Sequence, residues 1–119
     1  MNEMIIIGGL EVWPEDLGKM TWQEAIDATV NLGLDWRLPT IQEFKEILYP
    51  NSLKIPNVRA SKWQLSEYWS STQYDLNNMV CFNFGETYTP AYNKNRKYYV
   101  LAVRDFNAST AIEYLLKDF

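Results

Sequence analysis

The chain has 119 residues, of which 11 are basic, 15 are acidic and none is histidine, so its formal net charge is −4. This length suits a single domain, and the acidic balance argues against broad affinity for nucleic acid or anionic membranes. With no histidine and only one cysteine, Cys81, the composition excludes Ser-His-Asp and Cys-His catalysis, histidine or thiolate zinc sites and an internal disulfide. We therefore expect no cofactor and no bound metal.

The first residues predict a β-hairpin. The segment "MIIIGGLEVW" (residues 4–13) has a β-branched run, a Gly-Gly turn and a second extended run, which is typical of two short paired strands. The apolar run is too short for a signal peptide, and no stretch reaches the roughly 20 apolar residues of a membrane-spanning helix. We therefore expect neither an export signal nor a membrane span.

Two capping boxes predict two helices. Thr21 and Glu24 form the first T-x-x-E pattern, and Thr40 and Glu43 form the second. Gly33 marks the end of the first helix, since glycine favours the position just after a helix. Apolar residues follow at helical spacing: Trp22, Ala25, Ile26 and Val30 in the first helix, and Ile41, Phe44, Ile47 and Leu48 in the second.

The corner "DWRLPT" (residues 35–40) joins the two helices. Because a proline disfavours the helical conformation of the residue before it, Pro39 predicts an extended stretch over residues 35–38. We expect this stretch to bury Trp36 and Leu38 in the core.

Residues 49–67 contain two prolines and no sustained period, so they predict a long loop. Loops of this length in compact domains are usually functional or disordered. Four apolar residues indicate that this loop is pinned to the domain: Ile55, Val58, Trp63 and Leu65.

The second half of the chain predicts antiparallel strands. Alternating patterns mark residues 67–72, 79–85 and 97–106 as strands, with a turn at 73–78 and a loop at 86–96 between them. In the last strand, one face has Tyr99, Leu101 and Val103, and the other has Tyr98, Val100, Ala102 and Arg104. Helices that precede antiparallel strands indicate the α+β class.

The segment "STAIEYLLKDF" (residues 109–119) predicts a short C-terminal helix. We therefore divide the chain into a domain, residues 1–106, and a helical tail, residues 107–119. The helix has an apolar stripe at helical spacing: Ile112, Leu115, Leu116 and Phe119. We expect this stripe to dock onto its own domain; alternatively, it forms the contact of a homo-oligomer.

Several short motifs together resemble one known family. The segments "DWRLPT" and "EYWSST", with "GLEVW", "TWQEA" and "YYVLAVR" around them, are similar to the Lcl C-terminal domain family, which is named after a collagen-like adhesin. The resemblance implies a C-type-lectin-like fold, in which two helices flank small antiparallel sheets and a long irregular loop region presents the ligand surface. Members are mostly bacterial or phage-associated, and many are exported or surface-associated.

The chain departs from the family pattern in three ways. It has "MVCF" where many members have an Ala-Trp pair, it continues beyond Arg104 with the helical tail, and its sequence predicts no export signal. The compartment is therefore left open. Lectins of this fold that bind sugar through calcium use Glu-Pro-Asn or Gln-Pro-Asp and a later Trp-Asn-Asp, and this sequence contains none of these. The D-x-N start in "DLNN" (residues 75–78) lacks the glycine and glutamate of a calcium loop, which favours a polar turn and calcium-independent binding.

The most specific motif residues are predicted to serve the fold: Trp36, Arg37, Pro39, Trp69 and Arg104. An arginine can bind an anionic ligand or pair with a carboxylate that fixes irregular structure. The second role is favoured here, with Asp35 and Glu43 as candidate partners. The hydroxyls of residues 70–72 are expected to bond to the backbone, and Cys81 to be a small core residue.

The predicted ligand surface lies between residues 73 and 99, which are rich in tyrosine and asparagine. Tyrosine supplies rigid amphipathic area and asparagine versatile hydrogen bonds, as in adaptable recognition surfaces. The basic turn "NKNRKYY" suits a sulfated or uronic glycan or another anionic ligand; alternatively, it is only a solvated hairpin turn. The predicted binding residues are Tyr74, Asn77, Tyr88, Tyr92, Asn93, Lys94, Asn95 and Arg96.

The sequence therefore predicts a non-enzymatic binding module. Its ligand would be a glycan or a protein surface, bound by the loops at residues 73–78 and 86–97, with no role for nucleic acid. The alternative is a structural subunit of a phage particle or of a bacterial envelope, assembled through the C-terminal helix.

Overall fold

The structure is a computed structural model and describes residues 5–55 and 67–117. The predicted α+β class is confirmed, because helices and two β-sheets are both present. The strands are β1 (Ile5–Ile7), β2 (Leu10–Val12), β3 (Lys19–Met20), β4 (Glu67–Gln73), β5 (Asn78–Asn83), β6 (Ala91–Asn93), β7 (Tyr98–Tyr99) and β8 (Val103–Asp105). The α-helices are α1 (Trp22–Val30), α2 (Ile41–Glu43) and α3 (Ala108–Lys117).

The first sheet joins the two ends of the domain. Its antiparallel order is β1-β2-β8, and Leu10 lies opposite Asp105. The predicted hairpin between β1 and β2 is confirmed. Gly8 has a φ of 57°, and a Cβ there would lie 2.9 Å from Ile47 Cγ2, so both backbone conformation and space require glycine.

The second sheet has five strands in the order β3-β7-β4-β5-β6. Its pairs are antiparallel except for β4 and β7, which run parallel with Tyr68 opposite Tyr99. The expectation of antiparallel strands alone is therefore wrong for this pair. A parallel pair needs a crossover of a dozen or more residues, and here the crossover contains β5 and β6.

Both predicted capping boxes are confirmed at the starts of α1 and α2. The second helix is α-helical for only three residues and then continues as a π-helical turn over Phe44–Leu48, in which the Tyr49 N–H donates to the Phe44 carbonyl over 2.8 Å. It still packs the predicted apolar residues against the core.

The extended prediction for residues 35–38 is wrong at its first residue. Asp35 has a φ of 61°, in the left-handed region that aspartate tolerates. Two residues later, Arg37 pairs with Val103 through two backbone hydrogen bonds of 2.9 Å. The burial prediction is confirmed, since Trp36 is 6% exposed and Leu38 is fully buried.

The predicted strand over residues 97–106 is divided between the two sheets. Tyr98–Tyr99 forms β7 and Val103–Asp105 forms β8, with an irregular link between them. The predicted alternation persists through the link, because Leu101 and Val103 pack in one core cluster while Val100 packs in the other. One continuous segment therefore contributes side chains to both core clusters.

Two predicted loops contain more structure than expected. The loop at 86–96 includes β6, which pairs with β5 although its residues show no apolar alternation. In the loop at 49–67, Ser52–Lys54 forms a 3₁₀ turn. Ile55 is buried as predicted. The other three predicted anchors, Val58, Trp63 and Leu65, lie outside the described residues.

The prediction that the apolar stripe of the C-terminal helix docks onto its own domain is wrong. Ile112, Leu115 and Leu116 are 51%, 63% and 65% exposed, and Phe119 lies outside the described residues. The helix instead turns polar groups inward: Thr110 is fully buried, and its hydroxyl donates to the Asp105 carbonyl over 3.1 Å. Within the described ranges, no helix is long and apolar enough to cross a membrane.

Candidate functional site

The "WSST" hydroxyls are used by the backbone, as predicted. The Ser70 hydroxyl donates to the Val80 carbonyl over 2.5 Å, and the Thr72 hydroxyl accepts from the Ile41 N–H over 2.9 Å. Trp69 is fully buried, and its indole N–H donates to the Met20 carbonyl over 2.8 Å. These residues tie β4 to its neighbours.

Arg37 makes a two-pronged ion pair. Its guanidinium donates to both carboxylate oxygens of Glu43, over 2.8 and 2.9 Å, and to Asp105 over 2.9 Å. Glu43 is confirmed as a partner, whereas the second carboxylate is Asp105 and not Asp35. Burial alone would raise the pKa of the Glu43 carboxyl, but hydrogen bonds from Arg37 and Thr40 outweigh it and lower the pKa.

Arg104 is 1% exposed and completes a buried network. It donates to Glu11 over 2.8 Å, to the Leu34 carbonyl over 2.9 Å and to Glu113 of α3 over 3.0 Å. Its guanidinium lies 4.6 Å from the centroid of the Trp36 ring. Both motif arginines therefore pair with carboxylates and link separate elements, as predicted.

Cys81 is a fully buried core residue, as predicted. Burial, reinforced by the charge of Glu67, raises the pKa of its thiol well above the ordinary value. A thiol held neutral in this way is a poor nucleophile.

The turn at 73–78 and the turn at 93–97 lie side by side, although residues 79–92 separate them in sequence. Asn78 is paired with Asn93 across β5 and β6, and the Lys94 N–H donates to the Asn77 carbonyl over 3.0 Å. The structure thus gathers six of the eight predicted binding residues at one end of the five-stranded sheet, namely Tyr74, Asn77, Asn93, Lys94, Asn95 and Arg96.

The 73–78 turn is held rigid by one carboxylate. Asp75 Oδ1 accepts from the Asn77 N–H and from the backbone and side-chain N–H groups of Asn78, over 2.9 to 3.0 Å. These bonds, with that from the Asn78 side chain foremost, lower the pKa of Asp75. On this fixed turn Tyr74 is 70% exposed and Leu76 is 78% exposed.

The basic turn at 93–97 lies against aromatic rings. The Lys94 ammonium lies 5.1 Å from the Trp22 ring centroid, and the Arg96 guanidinium lies 4.7 Å from that of Tyr92 and 5.4 Å from that of Tyr98. The ring centroids of Tyr92 and Tyr98 are themselves 4.6 Å apart. Cation–π contacts of this kind restrict long side chains that would otherwise be mobile.

Tyr88 lies at the opposite end of β5 from the two turns, where its carbonyl accepts from the Asn83 N–H over 3.2 Å. Its hydroxyl donates to Glu67 Oε1 over 3.5 Å, and that oxygen also accepts from the Asn83 side chain over 3.0 Å. A side-chain hydrogen bond with Tyr92, followed by the charge of Glu67, raises the pKa of Tyr88 to about 12.

The predicted binding residues did not include Leu76 of the first turn, nor the rings of Trp22 and Tyr98 that support Lys94 and Arg96. The exposure of Leu76 could have been predicted from the sequence, since a D-x-x-N turn leaves the residue after the aspartate outside its hydrogen bonds. The contact of Trp22 with Lys94 could not be predicted from local sequence, because Trp22 lies at the start of α1, more than 70 residues before Lys94. Within residues 5–55 and 67–117, no group of three or more metal-ligating side chains is found.

Residues 9–104 of the chain match the Lcl C-terminal domain family. The chain belongs to the Lcl C-terminal domain family. The predicted resemblance is thus confirmed over residues 9–104, which include β2 to β7, most of β8 and the first two helices, whereas β1 and α3 lie outside the matched region. The comparison with curated proteins found no match to the chain. In this Lcl C-terminal domain the most specific motif residues form the framework, and the exposed tyrosine- and asparagine-rich turns lie outside those motifs.

Proposed function

We propose that the protein is a non-enzymatic binding module with a C-type-lectin-like fold. Its ligand, a glycan or a protein, contacts the surface where the 73–78 and 93–97 turns meet. This tip surface consists of Tyr74, Leu76 and Asn77 from the first turn and Lys94, Arg96 and Lys97 from the second. The supporting observation is that the Asn77–Lys94 hydrogen bond joins two distant turns that expose aromatic, amide and cationic groups together.

The architecture supports the lectin-like part of the proposal. The strands at the two ends of the domain are paired in one sheet, as the lectin-like fold requires. The buried Arg104 network and the Arg37–Glu43 pair fix this frame without contributing to the tip surface.

The side-chain chemistry supports binding without catalysis. The Cys81 thiol is buried and held neutral, and the hydroxyls of Ser70 and Thr72 are bonded to backbone groups. The tip surface instead offers the Tyr74 ring, the Asn77 amide and three cations on turns that internal hydrogen bonds hold together. Preordered groups lose less conformational freedom on binding, which favours affinity.

The proposal is tested by screening the folded chain against a glycan array and a library of displayed random 15-residue peptides. We expect binding to at least one of these probes, and we expect the double variant Tyr92→Ala and Arg96→Ala to lose it, because it removes both the Arg96 guanidinium and the Tyr92 ring that supports it. The matched control is Tyr49→Ala with Lys45→Ala, which removes an aromatic and a cation from the second helix region. Absence of binding to both probes by a correctly folded sample contradicts the proposal.

A second candidate function is that of an assembly subunit of a phage particle or bacterial envelope. The supporting observation is α3, which points Ile112, Leu115 and Leu116 outward while Glu113 holds it to Arg104. Aliphatic side chains exposed together on a fixed helix are typical of subunit contacts.

A further inference from the structure

We infer that the tip surface docks a protein segment in which acidic side chains accompany apolar ones. This inference rests on the proposed binding function and specifies its partner. It depends on three properties of the tip surface: exposed apolar groups, a local excess of positive charge and a rigid backbone.

The apolar part is formed by Tyr74 and Leu76. Their exposures of 70% and 78% are among the highest of the large hydrophobic side chains in the described residues. Leu76 is branched and aliphatic, so it gains from a partner only by transfer into an apolar environment. Hydroxyl-rich sugars stack well on flat rings but offer little of that environment to leucine. The aliphatic group therefore favours a protein over a glycan.

The charged part is formed by Lys94, Arg96 and Lys97, which lie within four residues of a chain whose net charge is −4. Asp75, which lies between Tyr74 and Leu76 in the first turn, already accepts three hydrogen bonds from its own turn. Lys97 is also attracted electrostatically to Glu24, whose carboxylate accepts a hydrogen bond from the Thr21 N–H in the α1 capping box. The local positive charge therefore attracts carboxylates and disfavours basic partners.

The rigid backbone makes the apolar and basic groups act as one surface. The Asp75 hydrogen bonds fix the position of Leu76, and the Lys94 N–H holds the second turn against the first. The Trp22 ring then holds the Lys94 ammonium in place. A partner thus meets an apolar apex with cations beside it, which is complementary to an acidic apolar segment.

The test is selection of displayed random 15-residue peptides on the full chain, with each selected peptide re-measured by fluorescence anisotropy. We expect selected peptides to be enriched in Asp and Glu and in large apolar residues over the starting library. Leu76→Ser should weaken their binding at least about tenfold, whereas Leu53→Ser, which alters a leucine of 75% exposure elsewhere, should leave it unchanged. Lys97→Gln should reduce both affinity and its dependence on salt.

Three outcomes overturn the inference. The first is selected peptides without acidic enrichment, or with equal affinity for the Leu76→Ser variant. The second is binding of sulfated glycans on the array that depends on Arg96 but not on Leu76; the proposed binding function then stands while the protein partner falls. The third is self-association of the chain that Leu76→Ser abolishes, which would make the partner a second copy. Absence of all binding overturns the proposed function as well.

Discussion

Arg104 Nη2 lies 3.0 Å from Glu113 Oε1, and this contact fixes the C-terminal helix to the buried end of β8. The same guanidinium is paired with Glu11 at 2.8 Å, and the exposed fractions of the two side chains are only 1% and 3%. Helix α3 is therefore linked to the domain through this ion pair, although its apolar stripe is exposed.

Arg104→Ala should lower the free energy of unfolding by about 3–5 kcal/mol, because it leaves the Glu11 carboxylate buried without its cation. Glu113→Gln should cost less, about 1 kcal/mol, since Glu113 is partly exposed and the amide can still accept a hydrogen bond. Urea unfolding measures both values. Lys97→Ala, at an exposed position, serves as the control, and equal midpoints for Arg104→Ala and wild type would contradict the network's role.

Arg37→Ala should destabilise the fold before it affects ligand binding. The variant loses both prongs of the Glu43 pair and the contact with Asp105, and the partial exposure of Arg37 limits the expected cost to about 1–2 kcal/mol. Arg37→Lys should recover only part of the loss, because an ammonium cannot form the two-pronged pair. Thermal unfolding tests this, and a variant with an unchanged melting temperature would show that the pair does not stabilise the fold.

The lowered pKa of Glu43 predicts a dependence of stability on pH. Because the folded-state pKa lies below the ordinary value of 4.5, this carboxylate's contribution is complete above that value and is lost as the pH falls through the folded-state pKa. Urea unfolding between pH 7 and pH 3 should therefore show a smaller acid-induced loss in Glu43→Gln than in wild type. If the free energy of unfolding falls equally with pH in the two proteins, Glu43 does not contribute to the acid-induced loss of stability.

Leu115→Asp combined with Leu116→Asp should separate a solvated helix from an assembly contact. If α3 forms a subunit interface, the particle mass measured by light scattering should fall from that of an oligomer to that of a monomer. The cost in monomer stability should be small, because both residues are more than 60% exposed. Deletion of the whole helix is less informative, since it would also remove Glu113 and uncover Arg104. A monomeric wild-type chain would exclude this interface.

Local sequence patterns were enough to predict the elements whose causes are local. The capping boxes at Thr21 and Thr40 work within four residues, so both helix starts are as predicted. The Gly8-Gly9 turn, the burial of Trp69 and the backbone bonds of the "WSST" hydroxyls were predicted correctly for similar reasons. The combination of motifs was also specific enough to indicate the family.

Only the tertiary structure decided how distant segments meet. Strand β6 exists because β5 lies beside it, and the partners Asp105 of Arg37 and Glu11 of Arg104 are 68 and 93 residues away. The same holds for α3: helical spacing predicted its apolar stripe, but in the structure Glu113 faces Arg104 and Leu115 is exposed. Hydrogen bonds within one turn depend on residues that are neighbours in sequence. Ion pairs and strand pairing between distant segments depend on how the whole chain folds, which no local pattern specifies.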